Sequence, residues 1–167
     1  MKPSEIIDVA VKEWVKPALS EIGFRKQGHT FWRETGDVVD VITLQKSQWN
    51  SSSSASFTVN FGLYWKRVQE LLGQTVTKMP PREYDCTVHE RIGALIGNGS
   101  DRWWHVKPTA DASKIGCEVS AAIISCGVPW LEHGHSLEQT LEYVRTLRHL
   151  LDGHRNAVLA LRRDGQI

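Results

Sequence analysis

Hydrophobic and polar positions change period several times along the chain, and each change marks a different kind of element. At the start, Ile7, Val11, Trp14, Val15, Ala18 and Ile22 recur at the i, i+4, i+7, i+8 spacing of one apolar helical stripe. Ser4 is placed to cap this helix, because a serine oxygen accepts an unpaired amide of the first turn. Pro17 has no amide to donate and crowds the turn before it, which predicts a kink or restart near residues 15–16. Gly23 is the expected stop, since glycine tolerates the left-handed conformation that follows a last helical turn.

From Phe24 the period falls to two. Residues 29–34 and 38–46 flank Thr35-Gly36-Asp37, which predicts two strands joined by a tight hairpin turn. Residues 56–65 alternate most clearly: Phe57, Val59, Phe61, Leu63 and Trp65 point one way, and Thr58, Asn60, Gly62 and Tyr64 the other. A sheet with helices on one face and a wetter second face produces that alternation. The intervening QWNSSSSAS, residues 48–56, reads as a mobile polar loop without chemistry of its own. Residues 71–85, with Pro80–Pro81, read as an irregular connection over the surface. Residues 87–96, 97–100 and 101–106 then predict a strand, a glycine turn and a strand. Adjacent strand side chains face opposite ways, so Trp103 and Trp104 cannot form one platform. Trp104, in phase with Val106, is assigned to the core; Trp103, in phase with His105, is the candidate surface anchor.

After Pro108 the pattern is helical again, with Ile115, Val119, Ala122, Ile123 and Cys126 on one face and Asp111 as cap. Residues 117–123 also fit an alternating pattern, and Gly127 and Pro129 are expected to end the segment. Residues 136–153 are a helix with capping-box spacing at Ser136 and Gln139, a stripe of Leu137, Leu141, Val144, Leu147 and Leu151, and a stop at Gly153. Residues 155–163 predict a short last helix, with Arg162 and Arg163 near its negative end. The order implies one α+β domain over residues 1–167: an N-terminal helix, a mainly antiparallel sheet of about five strands, and C-terminal helices packed on one sheet face.

Bulk properties narrow the function classes. The 167 residues, 41% hydrophobic and 23% charged, are those of an ordinary soluble globular protein. The net charge of +1 gives no strong field toward nucleic acid or an anionic membrane. The opening residues carry charges and no continuous apolar segment, so no signal peptide is expected. Apolar runs are only a few residues long, which argues against a membrane-spanning helix. Cys86, Cys117 and Cys126 form no CxxC pair and read as free thiols, so a cytoplasmic location is expected.

The segments LSEIGFRKQGHTFWRE, VITLQKS, FTVNFGLYW, RIGAL and DRWWHV, in this order, resemble the bacterial DUF4304 family, a domain of unknown function. The resemblance runs from the first helix to about Arg148. It implies a cytosolic bacterial α+β domain and brings no catalytic residues. Such domains beside toxin–antitoxin-like genes would fit an immunity-type binding role.

No catalytic residue, metal ligand set or cofactor is assigned from the residues themselves. Glu132, His133 and His135 carry imidazoles and a carboxylate of the kind that bind zinc, but an H-x-H loop supplies at most two or three ligands. They define an alternative reading as a metal-dependent enzyme. His149 falls in a helix's last turn, where a cation complements the dipole. The Gly97-Asn98-Gly99 segment opens a strand and lacks the Lys-Ser/Thr of a phosphate loop. The stronger candidate is a surface. Trp32, Arg33, Tyr64, Arg91, Arg102, Trp103 and His105 are assigned to the sheet face opposite the helices. Trp, Tyr and Arg are the usual anchors of protein interfaces. The same set suits single-stranded nucleic acid through stacking and phosphate contacts, but near-neutral charge favours a protein partner or self-association.

Overall fold

The computed structural model describes residues 1–75, 78–97 and 99–146. The expected helix over 155–163, the Leu147–Leu151 end of the preceding stripe with its stop at Gly153, and His149 lie outside the described residues.

The first helix begins two residues earlier than a Ser4 cap requires. Helix α1 is Pro3–Ala10, with Lys2 rather than Ser4 at the cap position. Pro3 explains the correction: its fixed φ and missing amide suit the first helical position. The Glu5 carboxylate accepts the Lys2 backbone amide at 2.8 Å. A π-helical turn, Val11–Val15, leads into α2, Lys16–Glu21. The extra residue in that turn places Pro17 at the start of a new helical segment, where a missing amide is best tolerated. Gly23, at φ 89°, ends the helix as expected, with the Phe24 amide donating to Leu19 O at 3.0 Å.

The sheet follows in the order β1-β2-β3-β4-β5, all antiparallel, with β6 also on β4. Its strands are β1 (Arg25–Gln27), β2 (Thr30–Thr35), β3 (Val38–Lys46), β4 (Ala55–Trp65), β5 (Val88–Arg91) and β6 (Trp104–Val106). Gly36, at φ 63°, makes the expected β2–β3 turn. The second expected hairpin does not form. Beyond Arg91 the chain turns into helix α4, Ile92–Leu95, instead of continuing as a strand. β5 pairs with residues 60–63 of β4 and β6 with residues 55–57, so the two lie end to end along one β4 edge. Ile92, wholly buried in the core cluster, supplies the reason: an apolar anchor draws the chain under the sheet before any turn can close.

Helix α3 (Lys66–Leu71) follows β4, and a 3-10 turn, Glu83–Asp85, precedes β5. Helix α5, Ala112–Ala122, is capped by Asp111, whose carboxylate accepts the Ser113 amide at 2.8 Å. It does not stop at Gly127. A second π-helical turn, Ile123–Gly127, leads into α6, Val128–His133, with Pro129 in the first turn. The device at Pro17 is repeated: the turn widens two residues ahead of a proline and the axis carries on. The resulting Ala112–His133 helix, 22 residues with an 18-residue window of mean hydropathy 1.2, is long and apolar enough to cross a membrane by length and composition alone. Its Val119, Ile123, Val128 and Leu131 are committed to the core. Helix α7 is Leu137–Thr146.

The helices pack on the face carrying Phe31, Ile42, Phe57, Val59, Phe61 and Leu63. Two glycines set how closely. A Cβ on Gly127 would strike the Phe61 ring, and one on Gly134 would strike Leu63. A smaller cluster lies on the other face: Val39, Val41, Tyr64 and Cys86, with Trp32 and Met79 against it.

Candidate binding surface

Residues paired across an antiparallel ladder share a face, so the registers show which side chains the outer face carries. Arg25 pairs with Trp32, and Trp32 with Val41. Thr43 pairs with Asn60, and Asn60 with Arg91. Gln45 pairs with Thr58, and Ser56 with His105. One half of this face is closed. The residue 79–86 connection lies on it, burying Tyr64 completely and seating Cys86 against Gly62, where an added Cβ would come within 2.5 Å of the Cys86 Sγ. Burial and nearby carboxylates raise the Cys86 thiol well above its ordinary pKa, so it is a packed thiol without nucleophilic character.

The other half is open and polar. Arg91 donates from Nε to Asn60 Oδ1 at 3.1 Å and from Nη1 to Asp101 Oδ2 at 2.7 Å. Asn60 donates to Gln45 Oε1 at 2.8 Å. The Trp103 indole donates to the same Asp101 oxygen at 2.8 Å, and the Arg91 guanidinium lies 5.7 Å from the Trp103 ring centroid. Trp103 is thereby held on two sides before anything binds. Beside it opens a cleft of about 370 Å³, lined by Gln45, Lys46, Ser47, Gln48, Trp49 and Trp103. Trp49 is 84% exposed. Its amide is fixed to Ser47 Oγ at 3.2 Å, and Asn50 ties the loop base to Ser56 by two hydrogen bonds. The serine-rich loop thus has an anchored base and presents an exposed indole.

The seven residues assigned to this face separate into three groups. Trp32, Arg91, Trp103 and His105 lie on it. Tyr64 is on it but wholly buried, so it is packing and not surface. Arg33 and Arg102 turn to the helix side. Arg33 pairs in register with Asp40, in phase with Phe31 and Ile42. Arg102 stacks on the core residue Trp104 and pairs with Glu118 of α5. The two tryptophans divide as expected: Trp104 is buried and stacked on Phe57 at 5.5 Å, and Trp103 is half-buried.

The Glu132, His133, His135 loop also meets Asp40. That carboxylate is wholly buried on the helix face. Its Oδ2 accepts Arg33 Nε at 3.0 Å and Nη2 at 2.8 Å, and His135 Nε2 lies 2.8 Å from its Oδ1. Glu132 joins Arg33 at 3.6 Å, while His133 is exposed. Glu132 and His133 close helix α6 instead of forming the expected loop. His135 and Glu132 turn to separate members of the Arg33–Asp40 pair, and among the described residues no three His, Cys, Asp or Glu side chains gather to hold an ion.

A family model described as a domain of unknown function, DUF4304, matches residues 15–133, well over half of the chain. The chain belongs to the DUF4304 family. No curated protein and no solved structure matches it. The matched part of this DUF4304 domain ends short of the expected Arg148, leaving out His135 and α7. It includes every residue of the Trp49–Trp103 cleft and the Arg91 network behind it.

Two site residues escaped the sequence reading. Trp49 had one signal, a lone indole within a serine-rich stretch, where burial cannot explain it. Asp40 had another: it stands in the apolar phase of its strand, between Val38 and Ile42.

Proposed function

We propose that this DUF4304 domain is a non-catalytic protein-binding module that receives a partner protein at the Trp49–Trp103 cleft of its outer sheet face. One observation carries the reading: a tryptophan 84% exposed on a loop with an anchored base, across a cleft from a second tryptophan that Arg91 and Asp101 already immobilise. Rigid aromatic anchors lose little conformational entropy on binding, and preorganisation of this kind raises affinity without new contacts. Between the two indoles the lining includes the amides and hydroxyl of Gln45, Ser47 and Gln48, which suit the backbone and neutral side chains of a folded protein.

Charge separates this partner from a nucleic acid. Phosphate recognition needs uncompensated cations. Arg91 is paired with Asp101, and Lys46, at the cleft wall, with Asp8 at 2.6 Å. An immunity-type module, occupying a toxin through this face in a cytoplasmic setting, is the specific form of the proposal.

Affinity capture from cell lysate with wild-type protein, Trp49→Ser and Trp103→Ala tests it. The expected result is one partner retained by wild type and lost from both folded variants, or self-association lost in the same way. A wild-type protein that is strictly monomeric and retains nothing, or capture indifferent to both substitutions, overturns it.

A further inference from the structure

A second concave site lies on the helix side of the sheet, between the first helical run and the β1–β2 hairpin. It encloses about 500 Å³ and is lined by Asp8, Val11, Lys12, Lys16, Lys26 and His29. Register explains part of the convergence: Lys26 pairs with Phe31 and Lys46 with Phe57, so both lysines project towards the helices. The Lys26 ammonium donates to the Gly28 carbonyl at 2.5 Å and lies 5.8 Å from the Phe31 ring centroid, which fixes its position. Lys12 and Lys16 stand four residues apart along the π-helical turn and its continuation, and both face the site. Like charges at that spacing cost a helix stability, a cost that a bound anion would offset.

Positive charge is left over here. The lining carries three lysines against one carboxylate, and Asp8 is already taken by Lys46 at 2.6 Å. Lys12 reaches Glu13 at 3.2 Å, an exposed pair of the kind worth little. Lys16 and Lys26 enter no ion pair with a described residue. His29 registers the imbalance: burial first, then Lys46, lowers its pKa, with Lys26 adding to them and Asp8 opposing.

We infer that this site binds a small soluble molecule bearing a phosphate dianion. The two uncompensated ammonium groups of Lys16 and Lys26 match its two charges, and lysine is a standard point-charge partner of phosphate. Lys26 has spent one of its three N–H donors on Gly28, so donors remain for the phosphate oxygens. Val11 and the methylene stems of the lysines give the carbon body a wall. A cationic ligand would meet net positive charge, and a neutral one would leave Lys16 and Lys26 as they are.

Isothermal titration of the full chain in phosphate-free buffer with ribose 5-phosphate, ribose and gluconate separates the possibilities. The sugar phosphate is expected to bind, the neutral sugar not at all, and the monocarboxylate roughly tenfold more weakly than the dianion. Lys16→Gln and Lys26→Gln, both at exposed positions, are each expected to weaken ribose 5-phosphate by about tenfold while the thermal unfolding curve stays in place. In the imidazole region of the NMR spectrum, the resonances removed by His29→Asn are the ones that ribose 5-phosphate should move. No binding of ribose 5-phosphate, affinity for gluconate equal to it, indifference to both lysine substitutions, or unmoved His29 resonances overturns the assignment. Tighter binding to vesicles containing phosphatidic acid than to ribose 5-phosphate overturns the soluble source, placing the phosphate on a lipid instead.

Discussion

His135 and Asp40, 95 residues apart in the chain, meet at 2.8 Å, with the carboxylate wholly buried and its second oxygen held by Arg33. This joins the α6–α7 turn to the middle of the β2–β3 hairpin through a polar contact onto the buried Arg33–Asp40 ion pair, where the neighbouring contacts are apolar. Removing one member of a buried ionic cluster leaves the others uncompensated, which is the costly case.

Asp40→Asn is therefore expected to destabilise the fold by about 3 kcal/mol, roughly 6–12 °C in Tm for a chain of this length. Thermal unfolding followed by circular dichroism measures it. A loss below about 1 kcal/mol would show that Arg33 and His135 find water or Glu132 as adequate substitutes.

Gly62 and Cys86 should behave as a coupled pair. Gly62→Ala places a methyl against the Cys86 sulfur and is expected to cost about 1–3 kcal/mol by overpacking. Cys86→Ala removes that sulfur, so the double variant should be more stable than the two single losses summed. A double-mutant cycle from denaturant unfolding gives the coupling, and additivity would mean that the residue 79–86 connection simply moves away.

Thiol reactivity should rank the cysteines. Cys117 is exposed, Cys126 partly covered, and Cys86 buried with its thiol pKa driven up. Under native conditions an aromatic disulfide reagent should label Cys117 first and leave Cys86 untouched until denaturant is added. Fast labelling of Cys86 in the folded protein would contradict the covering of Tyr64.

Stability should fall at both pH extremes for identifiable reasons. His29 has its pKa lowered by burial and by Lys46, so the unfolded chain binds the proton more readily. That contribution is present above the ordinary value near 6.5 and is lost as pH falls through the folded value. Tyr143 is shifted the other way by burial and Glu90. Its contribution is present below the ordinary value of 10.0 and declines above it, because the unfolded phenol ionises first. Urea midpoints across pH should flatten on the acid side in His29→Asn and on the alkaline side in Tyr143→Phe.

Most of the sheet was legible because period and turn chemistry agreed. The residue 38–46 strand is β3 to the residue, since Gly36 fixed its start and alternation its length. The restart expected at Pro17 is present, with α2 beginning at Lys16, but the stop expected at Pro129 is not: the chain carries on through a π-helical turn, a backbone solution that residue pattern does not announce. The hairpin expected around residues 97–100 failed because Ile92 has a tertiary destination that local periodicity cannot see. On the surface, strand phase placed Trp103, Trp104, Arg91 and His105 correctly. Arg33 was misplaced although the same rule puts it in phase with Phe31. A charged residue in an apolar phase signals a buried partner, and Asp40 across the hairpin is that partner.

The central claim is that the Trp49–Trp103 cleft receives a protein. The most direct measurement is the Kd of wild-type, Trp49→Ser and Trp103→Ala proteins for the partner recovered by capture, at low and high salt. Loss of at least about tenfold in each folded variant, with weak salt dependence, is the predicted result for aromatic anchors in a charge-compensated cleft. Unchanged affinity in both variants, or affinity that collapses with salt as a phosphate contact does, would contradict it.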